Sequence, residues 1–232
     1  MEEPFISVVI PAFNEEQNIG FVLTNVHKIL KETSLPYEII VVNDGSTDRT
    51  AEIVKEHNAF LVNHGRNSGK GNALKTGFVM AKGKIVVMMD ADGSHRPEDI
   101  PLLIDPLLNG SEVDVVIGSR FNDEVSRNST TRLHLIGNKL INTVIFFLTG
   151  KYVSDSQTGF RAFRREVLKR LALWSTKFEI ESELTVKMLK DGVRVREVPI
   201  RCMKRLRGNS KVSSFRDGFE IFKAILKATF CK

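Results

Sequence analysis

Hydrophobic positions in the first 120 residues follow two periodicities that alternate along the chain. Short runs rich in β-branched residues predict strands, and the apolar positions between them recur at the spacing of one helical face. The predicted strands are residues 5–10, 37–42, 59–62, 84–89 and 113–118, and the predicted helices are 19–30, 49–56, 71–81 and 98–108. This alternation predicts an α/β fold with a mostly parallel, Rossmann-like central sheet flanked by helices.

The second half of the chain is less regular. A polar segment at residues 122–131 predicts a loop, and an apolar helix at 133–148 follows it. Pro199 should place a strand at 193–203 at an edge or a bulge of the sheet. Without repeats or a linker, we expect one domain with two halves, residues 1–120 and 121–232. The remaining elements are a turn and strand at 154–163, amphipathic helices at 180–190 and 215–230, and a basic loop at 204–211.

Polar side chains follow several of the predicted strands. Asp90 and Asp92 end the fourth strand, Asp44 ends the second, and Asn14 and Arg120 follow the first and the fifth. Ligands of an open α/β sheet bind at the carboxyl ends of its strands, so these side chains should share one site. Two carboxylates on alternate residues offer oxygen ligands to a divalent cation and leave part of its coordination shell to substrate phosphates.

Composition and charge narrow the choice of partner. The net charge of +6 favours an anionic partner, which could be nucleic acid, a membrane surface or a phosphorylated substrate. Nucleic acid is the weakest of these, because the basic stretch at 194–211 contains no aromatic residue. The two cysteines lack metal-ligand spacing and predict a reducing compartment. No apolar stretch has the length of a membrane-spanning helix.

Eight short motifs occur in one order along residues 5–215. They are 9–15 (VIPAFNE), 41–48 (VVNDGSTD), 67–71 (NSGKG), 90–93 (DADG), 118–120 (GSR), 156–161 (SQTGFR), 197–200 (EVPI) and 205–211 (RLRGNSK). In this order and spacing they resemble glycosyltransferase family 2, whose fold is called GT-A. Within that family they are similar to the branch of dolichol-phosphate mannosyltransferases.

The resemblance implies specific roles for residues in these motifs. The divalent cation, Mg²⁺ or Mn²⁺, would be held by Asp90, Asp92 and Ser94, where many relatives have Gln in place of the serine. Asp92, Arg120 and Lys211 would be catalytic, and Arg120 with Arg132 would meet the acceptor phosphate. The residues expected to bind the nucleotide sugar are Pro11, Phe13 (Tyr in many relatives), Glu15, Val42, Asp44, Lys70, Asp90, Ala91, Asp92 and Arg205.

The same resemblance implies an inverting transferase that moves one hexose to a polyprenyl or dolichyl monophosphate at the cytoplasmic face of a membrane. GDP-mannose is the first choice of donor, and UDP-glucose or UDP-N-acetylglucosamine is the alternative. Trp174, the only tryptophan, lies outside the Gln-x-x-Arg-Trp signature of processive synthases, which favours a single transfer. A soluble transferase acting on a sugar hydroxyl and a non-catalytic nucleotide-binding module are the competing hypotheses.

Several other residues allow more than one interpretation. Glu181 and Glu183 are expected to be structural, and His95 is expected to be isolated. Arg161 could form either a structural ion pair or a ligand contact. The helix at 133–148 fits a core helix and an interfacial helix equally well, and the helix at 215–230 also suits membrane contact.

Overall fold

In the computed structural model, the structure describes residues 3–110, 112–121, 132–203, 205–207 and 214–230, apart from the side chains of 132–134 and 214–217. Seven strands form one sheet: β1 (Ile6–Ala12), β2 (Tyr37–Asn43), β3 (Phe60–Asn63), β4 (Ile85–Met88), β5 (Val115–Ser119), β6 (Arg161–Arg164) and β7 (Val195–Pro199). The helices are α1 (Ile19–Glu32), α2 (Thr50–Glu56), α3 (Lys70–Met80), α4 (Ile100–Asn109), α5 (Arg132–Thr149), α6 (Arg165–Arg170), α7 (Ile180–Lys190) and α8 (Ser214–Phe230).

The strands run in the order β3-β2-β1-β4-β6-β5-β7. Neighbouring pairs are parallel, except that β6 runs antiparallel to β4 and to β5. Parallel strands need crossover connections, which the helices between them supply. The predicted α/β fold with a mostly parallel sheet is therefore confirmed.

Alternate residues of the strands feed two separate cores. Ile6, Val8 and Ile10 of β1 point to the core that α1, α2 and α4 cover, while Val9 points to the opposite face. That opposite core is covered by α3 and by the helices of the second half, α5 to α8. Strands β1 and β4 contain few polar residues because both faces of these central strands are buried.

The second half differs from its prediction in detail. The strand expected within residues 154–163 is limited to Arg161–Arg164, and α6 follows it at once as an additional helix. The strand expected at 193–203 is shorter, Val195–Pro199, and it lies at the sheet edge that its proline indicates. The loop predicted at 122–131, and residues 204 and 208–211 of the basic loop, lie outside the described residues.

Candidate active site

The carboxyl ends of β1, β2, β4 and β5 line one edge of the sheet. The backbone N–H of Met89 donates to the Val9 carbonyl at 3.1 Å, so the chain stays paired with β1 until just before Asp90. The side chains of Asp90 and Asp92 keep 25% and 24% of their surface exposed. Two carboxylates therefore face solvent at the end of a strand that is otherwise buried.

The loops after β1 and β2 are joined into one wall of this edge. Asn14, which has a positive φ of 52°, donates its backbone N–H to Ser46 Oγ at 2.9 Å and accepts the Thr47 N–H at 2.8 Å. The backbone N–H of Glu15 donates to Thr50 Oγ1 at 2.8 Å. These cross-loop hydrogen bonds hold the VIPAFNE and VVNDGSTD motifs together.

Asp44 lies at the end of β2 and is buried, with both carboxylate oxygens in hydrogen bonds. Oδ1 accepts from Ser68 Oγ and lies near His64 Nδ1, each at 2.7 Å, and Oδ2 accepts the Gly69 N–H at 2.7 Å. Burial raises the pKa of Asp44, but hydrogen bonds from Ser68, His64 and Gly69 outweigh it and lower the pKa. Asp44 thus fixes the loop that leads into α3, and its contact with a nucleobase stays a prediction.

Lys70, the first residue of α3, connects two acidic side chains. Its Nζ lies 2.6 Å from Asp90 Oδ1 and 2.6 Å from Glu181 Oε1. Glu181 belongs to the first turn of α7 and is buried, and no described group is hydrogen-bonded to its Oε2. Lys70, which was expected to bind the nucleotide sugar, is thus held between β4 and α7.

This arrangement separates the acidities of the two carboxyl groups. Burial lowers the pKa of Lys70, but Asp90 and Glu181 outweigh it and raise the pKa, so the ammonium stays charged. Burial also raises the pKa of Asp90, but the positive charge of Lys70 outweighs this effect and lowers the pKa below its usual range. For Glu181, burial outweighs the positive charge of Lys70, and the pKa is raised. Asp90 is therefore the stronger acid of the pair.

Arg205 contacts two acidic residues at the same edge of the sheet. Its Nη2 lies 2.5 Å from Glu15 Oε1, and its Nη1 lies 3.5 Å from Asp92 Oδ2. The backbone N–H of Leu206 donates to the Asp92 carbonyl at 3.2 Å. Gly93, with φ of +75°, permits this approach, since a Cβ there would stand 2.4 Å from Leu206 Cδ1. Residues 205–206 therefore lie across the Asp90–Gly93 turn.

Arg120, at the end of β5, forms a two-pronged ion pair with Asp155. Nε lies 2.7 Å from Asp155 Oδ2, and Nη2 lies 2.9 Å from Oδ1. Burial lowers the pKa of Arg120, but Asp155 outweighs it and raises the pKa. Asp155 is fully buried, whereas the Arg120 side chain is 23% exposed. The Arg120 side chain is therefore partly exposed at the site, whereas its carboxylate partner is not.

His95 lies against the Asp90 turn, although its isolation in the sequence gave no sign of this. Its Nδ1 accepts the Asp90 N–H at 3.3 Å, and its ring stacks on Phe160 with centroids 5.0 Å apart. Burial lowers the pKa of His95, in agreement with a neutral ring whose Nδ1 is an acceptor.

The remaining residues expected at the site differ from one another in how exposed their side chains are. Pro11, Phe13 and Ser94 are half-buried near the strand ends, whereas Val42 and Ala91 have buried side chains. Val42 belongs to the core under α3, so its side chain is turned away from the open edge. Lys211 and the side chain of Arg132 lie outside the described residues. Their roles stay predictions.

The two glutamates of α7 that were expected to be structural have different surroundings. Glu181 pairs with Lys70 at the site, because α7 packs next to the start of α3, and whether it has more than a structural role there stays a prediction. Glu183 does have the expected structural role, since its carboxylate accepts the N–H groups of Trp174 and Ser175. Nothing local in the sequence distinguishes these two glutamates, since only the tertiary packing of α7 separates them.

Among the described residues, the contacts of Arg161 are hydrogen bonds and include neither an ion pair nor a position open to a ligand. The side chain is fully buried, and it donates to the carbonyls of Thr158 at 3.0 Å and Ser156 at 2.7 Å and to Thr185 Oγ1 at 3.0 Å. Burial lowers the pKa of Arg161 to about 10, which still leaves it charged at neutral pH. It braces the loop that precedes β6.

The donor set at this edge fits a cation that shares its ligands with a substrate. Within the described residues, no three His, Cys, Asp or Glu side chains form a closed metal cluster. Asp92 has one oxygen bonded to the Ser94 N–H at 2.9 Å and the other in the long contact with Arg205. Mg²⁺ in proteins commonly binds one or two carboxylates together with substrate phosphates, a set that Asp90 and Asp92 could provide.

Comparison with known proteins agrees with this geometry. The family described as Glycosyl transferase family 2 matches residues 7–172. The chain therefore belongs to glycosyltransferase family 2, as its motifs predicted.

Individual relatives cover nearly the whole chain. UDP-N-acetylglucosamine–dolichyl-phosphate N-acetylglucosaminyltransferase of Methanococcus voltae is 32% identical, over 97% of this chain and 96% of that protein. Polyprenol monophosphomannose synthase of Mycolicibacterium smegmatis is 33% identical, over 95% of this chain and 84% of that protein. These relatives confirm the predicted resemblance to the dolichol-phosphate branch of the family.

A solved structure shares the fold. Glucosyl-3-phosphoglycerate synthase from Mycobacterium tuberculosis, crystallised with Mn²⁺, uridine diphosphate and phosphoglyceric acid, superposes with a TM-score of 0.77. The sequences are 23% identical, and the match covers 98% of this chain and 79% of that one. The GT-A fold expected from the motifs is thereby confirmed.

Replacing Asp44 with Asn should lower the free energy of unfolding at pH 7 by about 1–3 kcal/mol, because an amide accepts fewer of these hydrogen bonds. The folded-state pKa of Asp44 is lowered, so its stabilisation is complete above the unfolded-state value of about 3.9 and is lost as the pH falls through the folded-state value. Urea unfolding from pH 7 down to pH 2 measures both effects.

Asp105→Asn is the matched control for this measurement, because Asp105 is an exposed aspartate of α4. It should leave the free energy of unfolding nearly unchanged at every pH. Equal stability of the Asp44→Asn variant and the wild type at pH 7 would contradict the structural role of Asp44.

Proposed function

We propose that the protein transfers one hexosyl group from a nucleotide sugar to a polyprenyl or dolichyl-type monophosphate. Its main support is that the Asp90–Asp92 carboxylates and two partly exposed arginine side chains, Arg120 and Arg205, lie at one sheet edge. The carboxylates suit a cation on a diphosphate, and the guanidinium groups suit phosphate oxygens. The named activities of the Methanococcus and Mycolicibacterium relatives support the same reaction.

On the donor side, the joined loops after β1 and β2 provide a wall for the nucleoside, and Asp90 and Asp92 would hold Mg²⁺ or Mn²⁺. The cation would stabilise the negative charge that develops on the departing nucleoside diphosphate. Arg205, and Lys211 in our proposal, would add positive charge near the same oxygens. GDP-mannose is the first donor we propose, with UDP-glucose or UDP-N-acetylglucosamine as alternatives.

On the acceptor side, a phosphate oxygen would attack the anomeric carbon as the bond from that carbon to the diphosphate breaks. A phosphate monoester is already ionised at neutral pH, so no general base is required. The neighbouring carboxylates agree with this chemistry, because Glu15, Asp90 and Asp155 each form a close ion pair with a basic side chain. We propose Arg120, together with Arg132, as the groups that meet the acceptor phosphate.

A sugar hydroxyl is the competing acceptor, and Glu181 is the residue that favours it. Its pKa is raised, and no described group is hydrogen-bonded to its Oε2, as a general base would require. The burial of Glu181 and its ion pair with Lys70 argue against that role. Phosphate transfer therefore remains our first proposal.

Helices α5 and α8 pack side by side and support contact with a membrane surface. Residues Ile136, Leu140 and Phe147 of α5 are 67%, 65% and 79% exposed and follow one helical stripe. Phe219 and Phe230 of α8 are 59% and 74% exposed. No helix in the described ranges is long and apolar enough to cross a bilayer. Exposed apolar stripes beside lysines are typical of helices that lie in the membrane interface.

Asp92→Asn should abolish hexosyl transfer to dolichyl phosphate while the protein stays folded, and excess EDTA should abolish transfer by the wild type. The amide removes a charged ligand from the proposed cation, and the chelator removes the cation itself. Radiolabelled GDP-mannose, UDP-glucose and UDP-N-acetylglucosamine, each with dolichyl phosphate, provide the assay.

Asp191→Asn, at an exposed position after α7, is the control for this substitution and should retain full transfer. Dephosphorylated dolichol tests whether the lipid phosphate is needed, and phosphoglyceric acid tests a soluble phosphorylated acceptor. Full activity in EDTA would rule out the cation, and transfer to phosphoglyceric acid but not to the lipid phosphate would replace the proposed acceptor.

Phe147→Asp should weaken binding to vesicles that contain anionic lipid by roughly tenfold to a hundredfold, because burying a phenylalanine contributes about 1.5–3 kcal/mol. Phe21→Asp is the matched control, since Phe21 is a 56% exposed phenylalanine on α1, away from α5 and α8. Vesicle sedimentation measures both. Equal losses for the two variants, or no loss for either, would contradict an interface on α5.

A further inference from the structure

The ion pair between Arg120 and Asp155 is more strongly held than a typical surface pair. Asp155 has no exposed surface, and its two oxygens accept from Arg120 Nε, Arg120 Nη2 and the Arg120 backbone N–H. Asn138 Nδ2 donates to the same carboxylate at 3.0 Å. A carboxylate engaged from several sides fixes both the rotation and the position of the guanidinium that it binds.

The loop around Asp155 is held in turn by two other elements. Glu197 of β7 accepts the Ser154 N–H at 2.8 Å and the Asp155 N–H at 3.2 Å through Oε1. Asn142 of α5 donates to the Ser154 carbonyl at 2.6 Å and accepts the Ser156 N–H at 3.2 Å. The carboxylate of Asp155 therefore has little freedom to move independently of α5.

Helix α5 has an unusual distribution of polar and apolar residues. Its inward-facing stripe contains two asparagines, Asn138 and Asn142, which are 6% and 3% exposed. Its outward-facing stripe contains Ile136, Leu140 and Phe147. Buried amide N–H groups are costly unless they are hydrogen-bonded, and the Nδ2 groups of both asparagines donate to the segment that contains Asp155. The same helix thus carries the exposed apolar stripe and a direct contact to the partner of Arg120.

We propose that Asp155 is the positioning residue for Arg120 at the acceptor phosphate, and that Asn138 couples this pair to the membrane-facing helix α5. The inference rests on the proposed function, because it assumes that Arg120 meets a lipid phosphate. Asp155 binds Nε and Nη2, and in this proposal Nη1 is the group that donates to the acceptor phosphate. Seating of α5 on the membrane, transmitted through Asn138, then holds the arginine where the lipid phosphate arrives.

A purely structural ion pair is the competing explanation, and the chain contains a matched example of one. Arg194 and Asp114 join β5 to β7 with the same geometry: Nε lies 2.9 Å from Oδ2, Nη2 lies 2.8 Å from Oδ1, and the Arg194 N–H lies 3.2 Å from Oδ2. This pair lies at the opposite end of β5 from Arg120. Asp114→Asn therefore makes the same chemical change without touching the site.

The experiment compares Asp155→Asn with Asp114→Asn in steady-state transfer, with dolichyl phosphate in vesicles and the best of the three nucleotide sugars. We expect Asp155→Asn to raise the KM for the lipid phosphate at least tenfold and to change the KM for the donor less than twofold. Asp114→Asn should change neither. Equal changes in both KM values, or no change, would overturn the positioning role.

Asn138→Ala tests the coupling. It also tests the positioning of Arg120 if the Asp155→Asn variant does not fold. We expect wild-type vesicle binding and donor KM, with a KM for the lipid phosphate raised at least threefold. A short-chain prenyl phosphate in solution should show a smaller difference between this variant and the wild type. If the difference is the same in solution and on vesicles, or absent from both, α5 is not coupled to the acceptor site. A wild-type protein without transfer to any lipid phosphate would instead reject the proposed function.

Discussion

The site depends on the balance of charge at the carboxyl edge of the sheet. Five carboxylates, those of Glu15, Asp90, Asp92, Asp155 and Glu181, meet three basic side chains, Lys70, Arg120 and Arg205. Among the described residues joined in these ion pairs, the carboxylates outnumber the basic side chains by two. A nucleoside diphosphate would add negative charge at this edge. In the proposed reaction, a divalent cation held by Asp90 and Asp92 would supply positive charge to offset it.

The three basic side chains also connect the site to the rest of the fold. Lys70 joins β4 to α7, Arg205 joins the loop after β7 to the loop after β1, and Arg120 joins β5 to the segment under α5. Breaking one partner of a buried pair leaves an uncompensated charge, which costs far more than the pair gains. The site geometry is therefore coupled to the packing of helices from the second half.

Much of this arrangement could be predicted from the sequence, and the reasons for the exceptions are physical. Hydrophobic periodicity was enough for the first five strands and their helices, because each element there is signalled by local residues. Asp90 and Asp92 stood out because they end an apolar strand. A strand was expected in this region, but the antiparallel direction of β6 was not predicted, since strand direction depends on a connection and not on any residue of Arg161–Arg164.

The site residues that sequence reasoning missed act through contacts that no local pattern signals. Glu181 differs from Glu183 only in the direction that its turn of α7 faces, and His95 reaches Asp90 through the turn between them. Asp155 is a buried partner of an arginine 35 positions away. Conversely, Val42 lies in one of the matching motifs, but its side chain belongs to the core. Motif spacing locates a site, whereas the direction of each side chain depends on how the helices pack.

The most direct test of this account is the binding of Mn²⁺ measured by electron paramagnetic resonance, with and without GDP or UDP. The account predicts weak binding of Mn²⁺ alone, much tighter binding with the correct nucleoside diphosphate, and loss of that gain in Asp92→Asn. Tight binding that needs no nucleotide, or that survives Asp92→Asn, would contradict the central claim that these strand-end carboxylates and a diphosphate share one cation.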